Sequence, residues 1–337
     1  MIFIVATFCI TEAGNSPVLV EHILATEYYY SLNHSRKLYG GTMVKIITSE
    51  FADTIRQRDG LIGLMAIGNP YRYNPLIDGL DLLFLAVMEQ DDPDRRVEHV
   101  HTAGKRVQLR SVTPEVLEQW IAGIDNRSII PWLVRGEILF DREQYLERIK
   151  QRLTEFPEEL RKQKLIAEFA AFLRTNLQAK QDMQDGNMLD AHSSILSSLH
   201  HWAHIALIEE GIHPELTVWA QMRHVNPGIY KLYEELTVSP ESLEKRVQLV
   251  LLACDFHVMS KMRSCCKLLL ELMDSREEPW SVMELHSHPS LELLRLDLSL
   301  LLQKLVMRGY IREVAVIPPS GDTDALELQY APLPKEA

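Results

Sequence analysis

A run of helical patterns from Arg142 to about Met273 most constrains what this chain can fold into. Apolar residues recur there at three- and four-residue spacing in segments such as "EELRKQKLIAEFAAFLRTNLQ" and "MLDAHSSILSSLHHWAHIALIEEG". Pro157, Pro214 and Pro240 stand near the points where the segments begin. Long helices with short connections bury their apolar faces against one another. The sequence therefore predicts an antiparallel bundle, which we assign to residues 142–275.

The region before the bundle, residues 43–141, mixes strand and helix patterns. "LDLLFLAVM" is typical of a buried strand, and "VEHVHT" and "RVQLRSV" alternate around a link that contains Gly104, as in a hairpin. Thr113, followed by proline and glutamate, is typical of a helix start. Mixed elements of this kind predict an α+β domain with a mixed sheet.

The C-terminal region, residues 276–337, shows the element order of a winged helix-turn-helix domain. Two helical segments, "SVMELHSHP" and "LELLRLDLSLLLQKLVMRG", precede the strands "YIREVAVI" and "ALELQYA". Residues 281–337 hold five Lys and Arg against eight carboxylates. DNA binding is not expected from such a surface, because neutralising phosphate charge dominates unspecific affinity for duplex.

Residues 1–42 differ from the rest of the chain. "MIFIVATFCI" is too short to span a bilayer and lacks a basic n-region, so no membrane association is expected. The following residues show no helical or strand period, and Met43 offers a second start. We expect an unstructured N-terminal extension over residues 1–42, with a first strand from Ile2 to Phe8 as the alternative.

Charge and cysteine content narrow the class of protein. Asp and Glu outnumber Lys and Arg by 47 to 35, so unspecific attraction to nucleic acid or anionic lipid is not expected. The four cysteines lack the spacing of a zinc site or a disulfide framework. A cytoplasmic location is the simplest interpretation.

The stretch "IGNPYRYNPLIDGLDLLFLAVM", residues 67–88, carries the candidate metal site. A polar loop leads into the apolar strand through Asp78 and Asp81, and carboxylates at the mouth of a strand are typical ligands of Mg²⁺. Asp81 is the principal candidate. Asp78 points to the opposite face of a regular strand unless a bulge at Gly79 redirects it.

This stretch resembles the motif of the DNA polymerase β superfamily of nucleotidyltransferases, in which Gly-Ser and a short polar loop precede Asp-x-Asp. Gly68 matches the glycine, and Asn69 replaces the serine; the resemblance implies nucleotide binding by both. Gly79 stands where the first aspartate belongs, and Asp81 matches the second. The resemblance implies Mg²⁺ and a nucleoside triphosphate as cofactors. Gly79→Asp is expected to place two carboxylates on one strand face and to improve metal binding.

The third carboxylate of the superfamily comes from a later strand, most simply "RVQLRSV". Gln108 and Arg110 occupy its alternate positions, and neither is an anionic ligand. Two of the three expected metal carboxylates are therefore absent, which leaves it undecided whether the chain is an enzyme.

A wider resemblance covers about Met43 to the C-terminus. The strings "VTPEVLEQWI", "NRSIIPWLVRGEILFDREQYL" and "LHHWAHIALIEEGIHPELTVWAQMRHVNPGIYKLYEEL" resemble the bacterial nucleotidyltransferase-like, YgxA-like family. The resemblance implies a nucleotidyltransferase-like domain, a helical domain where related transferases bind substrate, and a C-terminal helix-turn-helix. "GEILFD" is similar to the strand that closes the sheet in such transferases.

Two further groups of residues are candidates for ligand binding. Arg223, His224 and Tyr230 could line a substrate cleft, and helix-end packing is the alternative. His200 and His204 share a helical face, as metal-binding histidines do. No carboxylate partner is evident in the sequence, so we expect ordinary packed or surface histidines.

The sequence leaves three functions open. The first is a non-catalytic nucleotide-sensing or interaction protein, which the missing carboxylates favour. The second is an active nucleotidyltransferase that modifies a small hydroxylated substrate, with Asp81 as its catalytic metal ligand. The third is a transcriptional regulator that uses the winged helix. A nucleotide or small-molecule ligand is the expected partner, and a homo-oligomer is compatible with the sequence.

Overall fold

The structure is a computed structural model that describes residues 51–68, 79–102, 104–123, 129–317 and 326–334. The described residues form two units, a small one of residues 51–58 with 101, 102 and 104, and a large one of the remainder. Residues 51–56 of the small unit are helical (α1), and Arg56 pairs with Asp53 at 2.7 Å. The expectations for residues 1–42, for Asn69 and for Asp78 lie outside the described residues.

Five strands form a mixed sheet. They are β1 (Leu61–Gly68), β2 (Leu82–Met88), β3 (Val97–Thr102), β4 (Lys105–Val112) and β5 (Glu137–Asp141). The spatial order is β3-β4-β2-β1-β5, with β1 antiparallel to β2 and β5, and β2 parallel to β4. The expected α+β class is confirmed. Within "GEILFD", residues Glu137–Asp141 form β5, the edge strand that pairs with β1.

Three helices accompany the sheet: α2 (Pro114–Ala122) and α3 (Ile129–Arg135) lie between β4 and β5 in the chain, and α4 (Tyr145–Glu155) follows β5. Thr113 caps α2, as expected, because its hydroxyl accepts a hydrogen bond from the N–H of Val116 at 3.4 Å. Alternate residues of β2, including Leu83 and Leu85, belong to one apolar core with these helices. That core fixes the position of β2 and therefore of Asp81, the residue directly before β2.

The helical region forms a second apolar core. Its helices are α5 (Glu158–Gln184), α6 (Met188–Glu209), α7 (Val218–Val225), α8 (Pro227–Val238), α9 (Leu243–Ser260), α10 (Met262–Cys265) and α11 (Lys267–Met273). Helix α5 buries residues on all sides of its middle section, from Ile166 to Leu173, and contacts α6 along its length. An α-helix that is apolar all round its middle lies inside a domain rather than on its surface.

The last helical segment of this region is not continuous. Apolar residues recur at helical spacing from "ESLEKRV" to "LELMD", as in one long helix, but the structure breaks the helix at Lys261 and Cys266. The hydroxyl of Ser260 donates to the carbonyl of His257 at 2.7 Å, and that of Ser264 donates to the carbonyl of Lys261 at 2.9 Å. Serine hydroxyls that bond to backbone carbonyls compete with the helical ladder and bend it.

The C-terminal elements confirm the expected winged-helix order. They are α12 (Val282–His286), α13 (Pro289–Glu292), α14 (Leu298–Met307) and the antiparallel strands β6 (Ile311–Val316) and β7 (Glu327–Pro332). The segment "LELLRLDLSLLLQKLVMRG" is not a single helix as predicted. Arg295 adopts a left-handed φ of 49°, and Asp297 caps α14 by accepting from the N–H of Leu300.

Trp280 connects the wing to the helical core through two backbone hydrogen bonds with Tyr330, of 2.7 and 2.9 Å.

Cys254, Cys265 and Cys266 are buried and form no disulfide, and burial raises the pKa of each thiol. Among the described residues, every helix is too short or too polar to cross a bilayer.

Candidate functional site

Asp81 lies one residue before β2, and both of its carboxylate oxygens accept hydrogen bonds. Oδ1 accepts from Nζ of Lys105 at 3.0 Å, and Oδ2 accepts from the backbone N–H of Arg106 at 2.9 Å. The N–H of Asp81 in turn donates to the carbonyl of Arg106 at 2.8 Å. The Arg106 N–H, and after it the Lys105 ammonium, lower the pKa of Asp81. Asp81 is therefore ionised and already has a cationic partner.

Gly79 does not lie in the strand, contrary to the expectation that positions 79 and 81 share one strand face. Regular pairing of β2 begins at Leu82, and Gly79 adopts a left-handed φ of 76° in a turn. Glycine adopts this conformation without the steric penalty of a side chain. Gly68, the other glycine of the motif, is the exposed last residue of β1 and lies opposite Leu82.

Gln108 occupies the position on β4 where the third carboxylate was sought. Gln108 pairs with Leu83, and Asp81 contacts Arg106, two residues before Gln108 on β4. Residues two apart on a strand face the same side, so Gln108 lies on the same side of the sheet as Arg106. Its side chain is buried, and Nε2 lies 3.3 Å from Nε2 of His99, to which the amide donates. Its Oε1 atom is buried without a hydrogen-bond partner among the described residues. Position 108 therefore offers a neutral oxygen instead of a charged one.

Arg110, at the next alternate position, is half-buried beneath α2. Its guanidinium carbon lies 5.8 Å from the ring centroid of Trp120, and burial lowers its pKa. A cation at this position disfavours a second cation nearby.

The residues proposed for a substrate cleft lie on α7 and α8. Arg223 and His224 are exposed in the last turn of α7, and Tyr230 is partly buried against the helical core. The neighbouring Tyr233 stacks on Trp219 with ring centroids 4.0 Å apart. Tyr230 thus contributes to packing, while the other two side chains face solvent.

A cluster that the sequence pattern did not predict lies between α5 and α6. The carboxylate of Glu168 accepts two hydrogen bonds, one from Nδ1 of His201 at 2.6 Å and one from Nδ1 of His204 at 2.7 Å. His204 therefore does have a carboxylate partner, and its companion is His201 rather than His200. The signal for this was Glu168 itself, a charged residue inside the apolar run "LIAEFAAFL".

Three family models match successive parts of the chain. They are described as nucleotidyltransferase-like (residues 43–161), YgxA-like substrate binding domain (residues 162–261) and helix-turn-helix domain (residues 267–318). The protein YgxA of Bacillus subtilis (strain 168) is 35% identical over 250 residues, which are 74% of this chain and 85% of that protein. The chain belongs to the YgxA-like family of nucleotidyltransferase-like proteins.

A solved structure supports the same assignment. The crystal structure of a nucleotidyltransferase-like protein from Exiguobacterium sibiricum 255-15 is 31% identical and superposes with a TM-score of 0.75. The match covers 86% of this YgxA-like chain and 99% of that one. The resemblance expected from the motifs of the sequence is confirmed.

The described residues of this YgxA-like protein do not fit the Mg²⁺ and nucleoside triphosphate that the fold implies. Two-metal transfer needs several carboxylates around the cations. The described part of the motif supplies one carboxylate, Asp81, and one neutral oxygen, Oε1 of Gln108. The Lys105 pair is a weaker obstacle, since exposed ion pairs contribute only about 0–1 kcal/mol. The number of carboxylates, more than the lysine, opposes a metal here.

Proposed function

We propose that this protein is a non-catalytic member of the nucleotidyltransferase-like fold that acts as a nucleotide-sensing or interaction protein. The observation that carries the proposal is the replacement of metal ligands around β2 and β4. Gly79 lies in a turn, Gln108 is a buried amide, and Asp81 has protein donors on both oxygens. Without a metal to neutralise developing charge, nucleotide transfer lacks its main source of transition-state stabilisation.

The sensing part of the proposal rests on the end of β1. Gly68 is exposed there, and a Cβ atom built on it would meet no other atom of the described residues within 4 Å. The backbone at this position is therefore open to a ligand, at the place where the superfamily motif binds phosphate. We propose that Gly68 and Asn69 contact a nucleotide and that Arg223 and His224 contact a second, small ligand.

The test is a paired measurement of binding and turnover on the full chain. Calorimetry with ATP, GTP and CTP, each with and without Mg²⁺, should detect binding that does not need the metal. Pyrophosphate release with Mg²⁺ or Mn²⁺ and a panel of small hydroxylated acceptors should stay at the level of a protein-free blank. Gly68→Val should weaken nucleotide binding, because the branched side chain fills the space beside the backbone.

Active nucleotidyl transfer is the second candidate, and the match to a substrate binding domain over residues 162–261 favours it. It predicts pyrophosphate release that disappears in Asp81→Ala. That result would overturn the non-catalytic proposal and make Asp81 the catalytic metal ligand. Absence of both binding and turnover would overturn the nucleotide-sensing part and leave the interaction role.

A further inference from the structure

The cluster of Glu168, His201 and His204 has the donor set of a transition-metal site. One donor atom from each residue lies within 4.8 Å of the other two. Two imidazole nitrogens with one carboxylate are ligands that suit Zn²⁺ and similar divalent ions, and they disfavour Mg²⁺.

The burial of the cluster is unusual for a group of hydrogen-bonding side chains. Glu168 is 4% exposed and His204 is 1% exposed. With Nδ1 of His204 bonded to Glu168, its other ring nitrogen, Nε2, is buried and has no hydrogen-bond partner among the described residues. Buried polar atoms are nearly always paired, and the hydrogen bonds to Glu168 leave this one unpaired.

The helices already hold the three side chains in place. His201 and His204 are three residues apart on α6 and so project from the same side of that helix, towards Glu168 on α5. The O–N distances of 2.6 and 2.7 Å are those of hydrogen bonds. Ligands at about 2.0–2.2 Å from a tetrahedral metal stand roughly 3.3–3.6 Å apart, so each bonded oxygen–nitrogen pair would need to separate by about 0.6–1 Å.

We propose that Glu168, His201 and His204 bind one Zn²⁺-like divalent cation between α5 and α6. The cation would bind Nδ1 of both histidines in place of the Nδ1 protons, and each neutral imidazole would then carry its proton on Nε2. Three protein ligands leave a coordination position open for water or for a small ligand of the helical domain. This site is separate from the motif around Asp81 and does not depend on the function proposed for it.

Lys164, one turn before Glu168 on α5, is the nearby charge that opposes such a cation. Its side chain is buried, and Nζ donates to the carbonyl of Gly123 at 3.3 Å. The ammonium thus donates its hydrogen bond outside the cluster, and both carboxylate oxygens of Glu168 bond to the histidines. Removing its charge should strengthen metal binding, an effect that a purely structural network would not show.

The experiment is a Co²⁺ titration of metal-free full-length protein, followed by visible absorption and calorimetry. We expect about one equivalent to bind, with the visible bands of low-symmetry Co²⁺, and Zn²⁺ to displace it. Glu168→Gln keeps the shape of the side chain, and His201→Ala removes the more exposed histidine. Each should weaken binding by about tenfold or more, the range known for disturbed metal sites.

His192→Ala, on the same helix but outside the cluster, is the matched control and should bind like the unmodified protein. Lys164→Met should bind several-fold more tightly. Circular dichroism establishes that each variant is folded. No Co²⁺ binding by the folded unmodified protein would overturn the proposal. So would binding that is unchanged in Glu168→Gln and His201→Ala, because the metal would then be held elsewhere.

Discussion

The carboxylate of Asp81 accepts a hydrogen bond from the ammonium of Lys105 at 3.0 Å, across the edge where β2 and β4 begin. At the position where the superfamily motif binds a metal ion, this chain has the ammonium of Lys105. Both side chains are largely exposed, so the pair contributes little to folding.

Lys105→Met tests whether the lysine itself keeps metal away from Asp81. We expect the free energy of unfolding to change by less than about 1 kcal/mol, because the ion pair is exposed. Millimolar Mg²⁺ should still not bind, since one carboxylate remains too few. Calorimetry with Mg²⁺ and Mn²⁺ is the measurement, with Asp81→Ala as the control. Metal binding by Lys105→Met that is absent in Asp81→Ala would show that the lysine is the decisive block.

Gly79→Asp, which the sequence motif suggests as a restoring change, is expected to destabilise the protein. A side chain at a φ of 76° raises the energy of the folded backbone by about 1 kcal/mol. Because regular pairing begins only at Leu82, the new carboxylate would not share a strand face with Asp81.

Gly79→Asn is the matched control for Gly79→Asp, since asparagine meets the same backbone strain without a charge. Urea unfolding should give similar losses for the two variants. We expect neither to gain Mg²⁺ affinity. A clear gain in the aspartate variant alone would mean that the turn reorganises around a metal.

Lys164 gives the stability of the protein a defined dependence on pH. Burial lowers the pKa of Lys164 from 10.5 to about 8, against a smaller opposing effect of Glu168. Between these values the unfolded chain binds more protons than the folded one, so stability rises with pH across this window. Below about pH 8 the full cost of the buried charge is present.

Lys164→Met should therefore raise the free energy of unfolding near pH 7, by about 1–3 kcal/mol. The gain should shrink as the pH increases from 8 towards 10.5. Denaturant unfolding at pH 7 and pH 9.5 measures both effects, with the exposed Lys231→Met as the control. Equal gains at both values of pH would mean that packing, rather than charge, is responsible.

The helix-turn-helix domain is expected to bind duplex DNA poorly. Helix α14 buries four of its five leucines. Of the basic residues nearby, Arg295 donates to Gln119, and Arg312 donates to the carbonyl of Pro332. Fluorescence anisotropy at about 0.1 M salt should detect no micromolar affinity. Salt-sensitive binding that Lys304→Gln weakens would contradict this expectation and favour transcriptional regulation.

The sequence by itself determined the class of fold and much of the local structure. The period-two pattern of β4, the cap at Thr113 and the order of the last elements each depend on residues close together in the chain. Such signals are readable because neighbouring residues set them. The amide at position 108 was readable from the sequence as well, since a residue type needs no structure to identify it.

Where the apolar spacing of the sequence did not predict a helix break, the contacts that cause the break are local and weak. The breaks at Lys261 and at Arg295 interrupt segments whose apolar spacing continues through them. Serine hydroxyls and a single left-handed residue redirect the chain there, and neither changes the periodicity of the sequence.

Only the tertiary structure decided which polar groups meet. Lys105 reaches Asp81 because β2 and β4 run parallel and in register, although 24 positions separate the two residues. Glu168 meets His201 and His204 because α5 and α6 pack antiparallel, across more than thirty positions. The apolar faces that align these strands and helices supply most of the energy of folding. The sequence identifies the charged residues, but the packing of their apolar neighbours determines which polar groups they contact.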